Sequence, residues 1–559
     1  MKLARLKINN FRGLKGENNE IDFTNSNIIF LIGQNNVGKS TYLRAYEFFT
    51  QSKQTALIED FYDHNPKNTI IIEGWFIKED DDEVNIELKG KSKDDDWLTK
   101  WVCNDGFIKI KKEWKNENGV FEKYTFSTEQ NDWVLNGFGG MDTIFTSHAP
   151  KPIAISAMEN QDSLEKKVND LLEKEFLKKI KETYPEKYET LINGVKELQS
   201  LITGSESIEN INAELNKHFQ QVFADLTLKI QASKDENIKI EDAFKKNHSV
   251  IVERRENLRK ETFLQNGHGV IRQALFNFLA FRGKDMQENK KQYLILFEEP
   301  EVFLHPKIAF KLRESLYELA ENSPYQILCA THSPLMIDIS KPHSSLIRVV
   351  KEIDETTVTF QVGEDVFGRD DEQKERVQMI NRFNPHVCEA FYADKVLLVE
   401  GDTETIVYRD LIERYYPNEE IFVLNTGSKN NIPFFQEILT KFHISHFVIH
   451  DIDTEKITNK KGEEKNNPAW TLNQKIWDKI ESANKEKQGL ARRYVHITNF
   501  ETAHNITLSG GKDKPLQAYK FVKDIDREKE VPDCLKWLDD IAYRQEIVHD
   551  MNYIESNKK

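Results

Sequence analysis

Two groups of residues in this 559-residue chain have the types and the spacing for phosphate chemistry. The first is GQNNVGKST, Gly33–Thr41, which fits G-x-x-x-x-G-K-[ST]. Gly33, Asn35, Asn36 and Gly38 would let backbone N–H groups wrap phosphate oxygens where a helix begins. Lys39 would reach the β- and γ-phosphates of ATP, and the Ser40 hydroxyl, with Thr41 behind it, would serve a Mg²⁺ ion. The stretch YLILFEEPE, Tyr293–Glu301, supplies partners. Its apolar run ends in Glu298, suited to hold Mg²⁺ directly or through water, and in Glu299, suited to polarise an attacking water. In QILCATHSP, His332 follows a second apolar run and would touch a γ-phosphate.

The second group is made of carboxylates. VLLVEGDTE carries Glu400 to the tip of an apolar run, and Glu404 follows one helical turn later. FVIHDID offers Asp451 and Asp453, whose i, i+2 spacing would put both on one side of an extended strand end. Clustered carboxylates repel one another unless cations sit between them, and hard oxygen ligands favour Mg²⁺ or Mn²⁺. Alone, either motif is as readily a helix cap or an exposed strand end. Together and in this order they predict a metal site.

The elements that must position these groups follow from hydrophobic patterning. Ile28–Ile32 reads as a buried strand, followed by a Gly/Asn loop and a helix from about Lys39. Residues 69–150 alternate short β-like runs with charged turns. From 163 to about 228 the texture is helical, with Leu164, Val168, Leu171 and Leu172, then Leu191, Val195, Leu198 and Ile202, on apolar stripes. That arm is most simply an insertion in another domain, and its stripe could also serve dimerisation. Residues 250–345 return to α/β texture. From 386 a β-α-β-α-β order follows: KVLLVE, a helix over 403–416, IFVLN, a helix over 432–442, and HFVIHDID. That rhythm predicts a parallel sheet whose loops at the C-terminal strand ends build a site. The tail from 515 reads as helical.

Bulk properties set the outer bounds. A hydrophobic fraction of 38% and a charged fraction of 31% describe a soluble globular protein of several domains. The apolar runs fall far short of the roughly 20 residues a membrane span requires, and MKLARLKINNF lacks an export signal, so a cytoplasmic protein is expected. The cysteines, 103, 329, 388 and 534, form no C-x-x-C pair, which suits a reducing compartment and no structural zinc. A net charge of −15 counts against coating DNA with the whole surface, but not against a local basic groove.

The motifs INNFRG, GQNNVGKST, EEPEVFLHP and ATHSP resemble an ABC-type ATPase of the SMC/RecF branch, and EEPEVFLHP resembles the OLD (overcoming lysogenization defect) family in particular. The E-G-x-x-E unit with D-x-D resembles a Toprim domain, which OLD-family nucleases carry behind their ATPase. The resemblance implies an α/β ATPase with a helical insertion, divided as 1–160, 161–249 and 250–385, and a Toprim domain over 386–559. It implies Arg12 near the nucleotide base and, in a looser alignment, Asp60 at the Q-loop position. It further implies Glu501 of NFETA at a second metal and Lys514 of GGKDKPLQA as the catalytic lysine, with Lys512 as a rival, and it marks Lys429 in NTGSKNN. The sequence departs from the pattern twice. Glu298 stands where Asp is commoner, and the LSGGQ loop is absent, NGHGVIRQ (266–273, with Gly267 and Gly269) being the nearest substitute.

By that resemblance the chain would be an ATP-binding, Mg²⁺- or Mn²⁺-dependent DNA endonuclease of anti-phage defence. It would act as a homodimer or larger homo-oligomer, alone or beside a helicase or a reverse transcriptase with its RNA/DNA. The alternatives are a non-cleaving DNA clamp driven by the ATPase and, more distantly, a topoisomerase or primase. Lys456, Lys460, Lys461 and Lys465 form a basic stretch that could contact a DNA backbone or simply be soluble.

Overall fold

The computed structural model describes residues 1–79, 101–138, 143–157, 292–363, 385–458, 463–506, 514–529 and 531–558, with scattered positions between 159 and 279 and residue 375. Two compact units emerge, Met1–Ala157 with Gly283–Lys559, and Met158–Arg282. In the smaller unit a short antiparallel pair, 251–253 with 260–262, is described, and residues 185–190 are helical. Most of the predicted apolar stripe of the arm, Val168, Leu171, Leu172, Leu191, Val195, Leu198 and Ile202, lies outside the described residues, as do Gly267 and Lys512.

In the larger unit, strict alternation builds the first sheet. β1 (Lys2–Asn9) pairs with β2 (Glu20–Asp22) and β4 (Ile70–Ile77), and β5 (Phe107–Trp114), β6 (Glu122–Ser127) and β7 (Asp132–Leu135) continue the antiparallel order β2-β1-β4-β5-β6-β7. Every second residue of β4 and β5 is buried, as one solvated face and one core face require. β3 (Ile28–Ile32) belongs to a different sheet. All its residues are buried, and continuous burial marks a central parallel strand covered on both faces. Its neighbours come from distant sequence: β8 (Lys151–Ile155) and, beyond the smaller unit's β9 and β10 (251–253 and 260–262), β11 (Tyr293–Glu298), β12 (Tyr325–Ala330), β13 (Leu346–Lys351) and β14 (Thr357–Gln361). The order is β14-β13-β3-β12-β11-β8, parallel except at the β14 edge.

The C-terminal part carries the predicted β-α-β-α-β unit. β15 (Lys395–Val399), the helix Asp402–Tyr415, β16 (Ile421–Asn425) and the helix Ile432–Lys441 occur within a residue of their expected bounds, and β17 (Ser445–Asp451) ends two residues short of the expected Asp453. The hairpin β18–β19 (Lys456–Thr458, Glu464–Asn466), the helix Pro468–Glu486 and β20 (Ala491–His496) follow. All four long strands are parallel, in the order β16-β15-β17-β20. The tail folds back as the helices Lys514–Asp524, Asp533–Asp539 and Met551–Asn557. Trp537 and Leu535 join Leu397, Phe447 and Tyr494 in one core. No helix among the described residues is long and apolar enough to cross a membrane.

Candidate functional site

The first site lies at the C-terminal ends of β3, β11 and β12. Gly33 leaves β3 at φ 142°, and a Cβ there would come within 2.4 Å of the Val349 carbonyl oxygen, so no other residue fits without moving β13. Gly38 caps the helix Lys39–Thr50 in the left-handed region. Lys39 is buried, and its Nζ donates to the carbonyls of Gly33 (2.7 Å) and Gln34 (2.6 Å). Burial pulls its pKa down to about 8, against the opposing pull of the Glu299 carboxylate. Asn35 and Asn36 are exposed, and Ser40 lies at the first turn of the helix.

Register explains why the acidic residues and the imidazole meet. In the β11/β12 pair Glu298 stands opposite Ala330, so Glu299 and His332 both emerge just past the sheet edge. Glu299 adopts a left-handed backbone, its N–H bonded to the Ala330 carbonyl at 2.7 Å. Its carboxylate lies 3.3 Å from His332 Nε2. Burial, and then the Lys39 ammonium, hold the His332 pKa below its ordinary value. Lys39, Glu299 and His332 are therefore electrostatic neighbours, as a hydrolytic nucleotide site needs. Arg12 grips Asp60 through Nε (3.0 Å) and Nη2 (2.8 Å), with Asp60 buried. These residues are 48 positions apart, and no local pattern announces their pairing. Glu301 is a further residue that motif reading passes over. It is half-buried and bonded to Thr331, and desolvation raises its pKa.

The second site lies at the C-terminal ends of β15, β17 and β20. In the β15/β17 register Leu398 faces Val448, which brings Glu400 level with His450 and beside Asp451. Glu400 Oε1 accepts the Asp451 backbone N–H at 2.8 Å. Glu404, in the first turn of the helix Asp402–Tyr415, is buried and faces Asp451. Asp453 departs from the expected geometry. β17 ends at Asp451, and Asp453 sits beyond it at φ 62°, its N–H bonded to the Thr498 carbonyl. It reaches the cluster through a turn rather than through strand alternation. Two lysines flank the carboxylates. Lys429, almost wholly buried, donates from Nζ to Asp453 Oδ2 at 2.7 Å and to the Asp451 carbonyl. Lys514, which opens its helix, pairs with Glu501 at 2.6 Å, and that bond raises its pKa.

Burial first, and the Asp451 carboxylate second, push the Glu400 pKa up to about 8. Burial, Asp453 and then Glu501 push Asp451 up to about 7. Glu404 is raised by burial and by Asp451. Such a set holds protons near neutrality unless a cation replaces them. Hard oxygen donors with elevated proton affinity suit Mg²⁺ or Mn²⁺. Among the described residues no three His, Cys, Asp or Glu side chains are posed around one point as an ion would need. The carboxylates instead face Lys429, Lys514 and the Asp451 N–H, so a cation would take over roles these donors now fill. His496, on β20, was not singled out by any motif. Its Nδ1 lies 3.2 Å from Asp451 Oδ1, and burial pushes its pKa down to about 4.

The two sites are linked within the larger unit. From the glycine-rich loop, Gln34 Nε2 donates to Asp394 Oδ1 and Glu420 Oε2, each at 3.0 Å. These carboxylates precede β15 and β16. Arg348, buried on β13 opposite Ile32 of β3, donates to the carbonyls of Phe442 (3.2 Å), His443 (3.3 Å) and Ala393 (3.4 Å). The basic stretch is partly described: Lys456 and Lys465 lie on the exposed β18–β19 hairpin, and Lys460 and Lys461 lie outside the described residues.

Comparison with known proteins supplies the family. The AAA ATPase domain model matches residues 1–138 and 103–337, together more than half of the chain. The Overcoming lysogenization defect protein-like TOPRIM domain model matches residues 391–453. The chain belongs to the AAA ATPase domain family and carries an OLD-like Toprim domain behind it. The Toprim match spans Glu400, Glu404, Asp451 and Asp453. The Old nuclease of Escherichia phage P2 is 25% identical over 484 residues, 81% of this chain and 77% of that protein. The OLD nuclease of Thermus scotoductus (strain ATCC 700910 / SA-01) is 28% identical over 269 residues, 46% of this chain and 48% of that protein. Endonuclease GajA of Bacillus cereus (strain VD045) is 24% identical over 491 residues, covering 83% of this chain and 77% of that protein.

Proposed function

We propose that this OLD-type chain is a divalent-cation-dependent DNA endonuclease whose ATPase domain governs cleavage, acting in defence against phage. The observation that carries the proposal is the convergence of Glu400, Glu404, Asp451, Asp453, Glu501 and Lys514 on one sheet edge, drawn from four separated segments. Relatives named as nucleases and an endonuclease, aligned over most of this chain, support the same reaction class. A non-cleaving clamp would have no use for so many carboxylates crowded on one sheet edge, which repel one another when ionised with no cation between them.

In the proposed division, residues 1–160 and 250–385 form the ATPase domain, 161–249 the arm, and 386–559 the Toprim domain. Glu400, Asp451 and Asp453 would hold one Mg²⁺ or Mn²⁺, and Glu404 with Glu501 and Asp451 a second. Bound there, such ions lower the pKa of water and stabilise charge on phosphate and leaving oxygens. Asp451, between the two groups, orients both. Lys514 leaves Glu501 for the scissile phosphate, where its ammonium offsets the charge that grows as water attacks phosphorus and the P–O3′ bond breaks. Lys429 keeps Asp453 in its left-handed turn.

At the nucleotide site, Lys39 exchanges the Gly33 and Gln34 carbonyls for the β- and γ-phosphates of ATP, and Ser40 and Glu298 serve the accompanying Mg²⁺. Glu299 orients the attacking water and His332 meets the γ-phosphate, with Arg12 at the base side. Because Gln34 and Arg348 tie the P-loop and its neighbouring strand to the start of the Toprim sheet, a movement of the loop on nucleotide binding is transmitted there. Assembly into at least a homodimer completes the ATPase site from a second copy. The direct test is incubation with supercoiled plasmid. Nicked or linear product should form with added Mg²⁺ or Mn²⁺ and vanish with a chelator; cleavage that survives chelation would contradict the proposal.

A further inference from the structure

Asp451 is held at each of its polar groups. Its N–H is bonded to Glu400, and its carbonyl accepts from Lys429 and, at 2.9 Å, from His450 Nδ1. Each of those contacts fixes the backbone. The carboxylate itself is met by His496 Nδ1 at 3.2 Å and by the Phe500 backbone N–H. The two residues are register partners, Asp451 on β17 and His496 on β20, so the sheet delivers the imidazole to the carboxylate directly.

The ring has little freedom of its own. It is fully buried, with Trp537 at 4.9 Å, Phe500 at 5.1 Å and His504 at 5.4 Å between ring centroids. Its Nε2 has no hydrogen-bond partner among the described residues. A histidine kept for packing alone would gain nothing from polar atoms in an aromatic box, where phenylalanine avoids the desolvation cost. A core histidine kept for hydrogen bonding would engage both nitrogens. This one spends its single hydrogen bond on a carboxylate oxygen.

We infer that His496 is a positioning residue for the cation centre: its Nδ1–H pins Asp451 Oδ1 and so aims Oδ2, and the remaining lone pair of Oδ1, at the bound ion. The inference rests on the cation-dependent site proposed above. An ionised carboxylate only accepts, so the imidazole carries its proton on Nδ1. Without that donor the carboxylate keeps the Phe500 N–H but has no side-chain partner holding Oδ1, and its terminal torsion, broad and weakly restrained, lets the aim drift. Partners of this kind, which touch the ligand rather than the ion, typically alter metal affinity or activity by about ten- to a hundredfold when removed.

The test compares His496→Phe, which fills the aromatic box without a donor, with His496→Asn, whose amide N–H falls near the place of Nδ1. Mn²⁺ binding to the full-length protein is measured by electron paramagnetic resonance of the free ion, and plasmid cleavage is followed against Mn²⁺ concentration. His496→Phe should weaken Mn²⁺ binding by about ten- to a hundredfold, raise the half-maximal Mn²⁺ concentration in parallel, and recover much of its rate at saturating Mn²⁺. His496→Asn should restore most of the affinity. Unchanged binding in His496→Phe, or a loss that His496→Asn does not recover, would overturn the inference. If thermal melting shows that His496→Phe does not fold, His496→Gln replaces it; its amide lies near Nε2, and it should bind Mn²⁺ as weakly as predicted for Phe. Wild type binding Mn²⁺ no better than Asp451→Ala would refute the cation site itself, and that comparison comes before any His496 variant.

Discussion

Asp451→Ala and Glu400→Ala should each lower plasmid cleavage by roughly a thousandfold or more, the loss expected when a ligand that holds a catalytic cation is removed. Asp451 has the larger role of the pair. It stands between the Glu400/Asp453 group and the Glu404/Glu501 group, and its side chain is the point at which their fields meet. Removing it also relieves repulsion. Burial and neighbouring charge hold Asp451 near pKa 7 and Glu400 near 8, and a carboxyl with a raised folded pKa stabilises the fold below its unfolded value and loses that contribution as pH rises through the folded one. Between about pH 5 and 8 the metal-free protein should therefore become less stable through these groups, and Asp451→Ala should be spared part of that decline. A variant that melts no lower than wild type at pH 8 yet fails to cleave separates chemistry from folding. Undiminished cleavage in both variants would assign the reaction elsewhere.

Lys39→Ala should abolish nucleotide binding at working concentrations. Two charge-assisted hydrogen bonds to phosphate, at about 1.5–3 kcal/mol each, amount to a loss of roughly a hundredfold or more. The backbone carbonyls that now accept from Lys39 would face only water or their own loop. Glu299→Gln, by contrast, keeps a polar side chain of equal length in the left-handed turn. It should bind ATP normally while turnover falls by about a hundredfold or more, the usual worth of a positioned base. Equilibrium binding of a fluorescent ATP analogue, beside a phosphate-release assay, distinguishes the two. Tight binding by Lys39→Ala would show that the nucleotide sits elsewhere. Because Gln34 and Arg348 connect the loop to the Toprim sheet, DNA cleavage by Lys39→Ala should no longer respond to ATP.

Local patterns carried the parts of this fold that local physics decides. An uninterrupted apolar run before Gly33, and again before Glu298 and Glu400, is what a strand buried on both faces requires, and each proved to be one. The helix after Gly38 starts at Lys39, where the Gly/Asn loop ends in a left-handed glycine. The remainder depended on distant partners. ARRYVH, Ala491–His496, reads as a polar segment, yet it is the fourth strand. Arg493 is buried there because the carbonyls of His549 and Asn473 satisfy its guanidinium. Without that strand, nothing in the motifs relates His496 to Asp451. Lys429, marked by the resemblance at a strand end, owes its burial to a partner two loops away, Asp453, which turns back toward it. Asp453 joins the carboxylates through a local geometry other than the expected one, since the strand stops two residues earlier. The family resemblance marked Glu501 and Lys514 separately, one for a second metal and one as a catalytic lysine; their 2.6 Å ion pair joins two segments that no motif relates.

Crystals soaked in Mn²⁺ test most directly whether the carboxylates at the ends of β15, β17 and β20 form a cation centre. Anomalous scattering should give peaks bounded by Glu400, Asp451 and Asp453 and by Glu404, Asp451 and Glu501, with the Lys429 and Lys514 ammonium groups displaced from their present partners. Both peaks should be absent from Asp451→Ala crystals treated identically. Cleavage-competent wild-type protein with no manganese at these carboxylates, and Lys429 and Lys514 still paired to Asp453 and Glu501, would contradict the account.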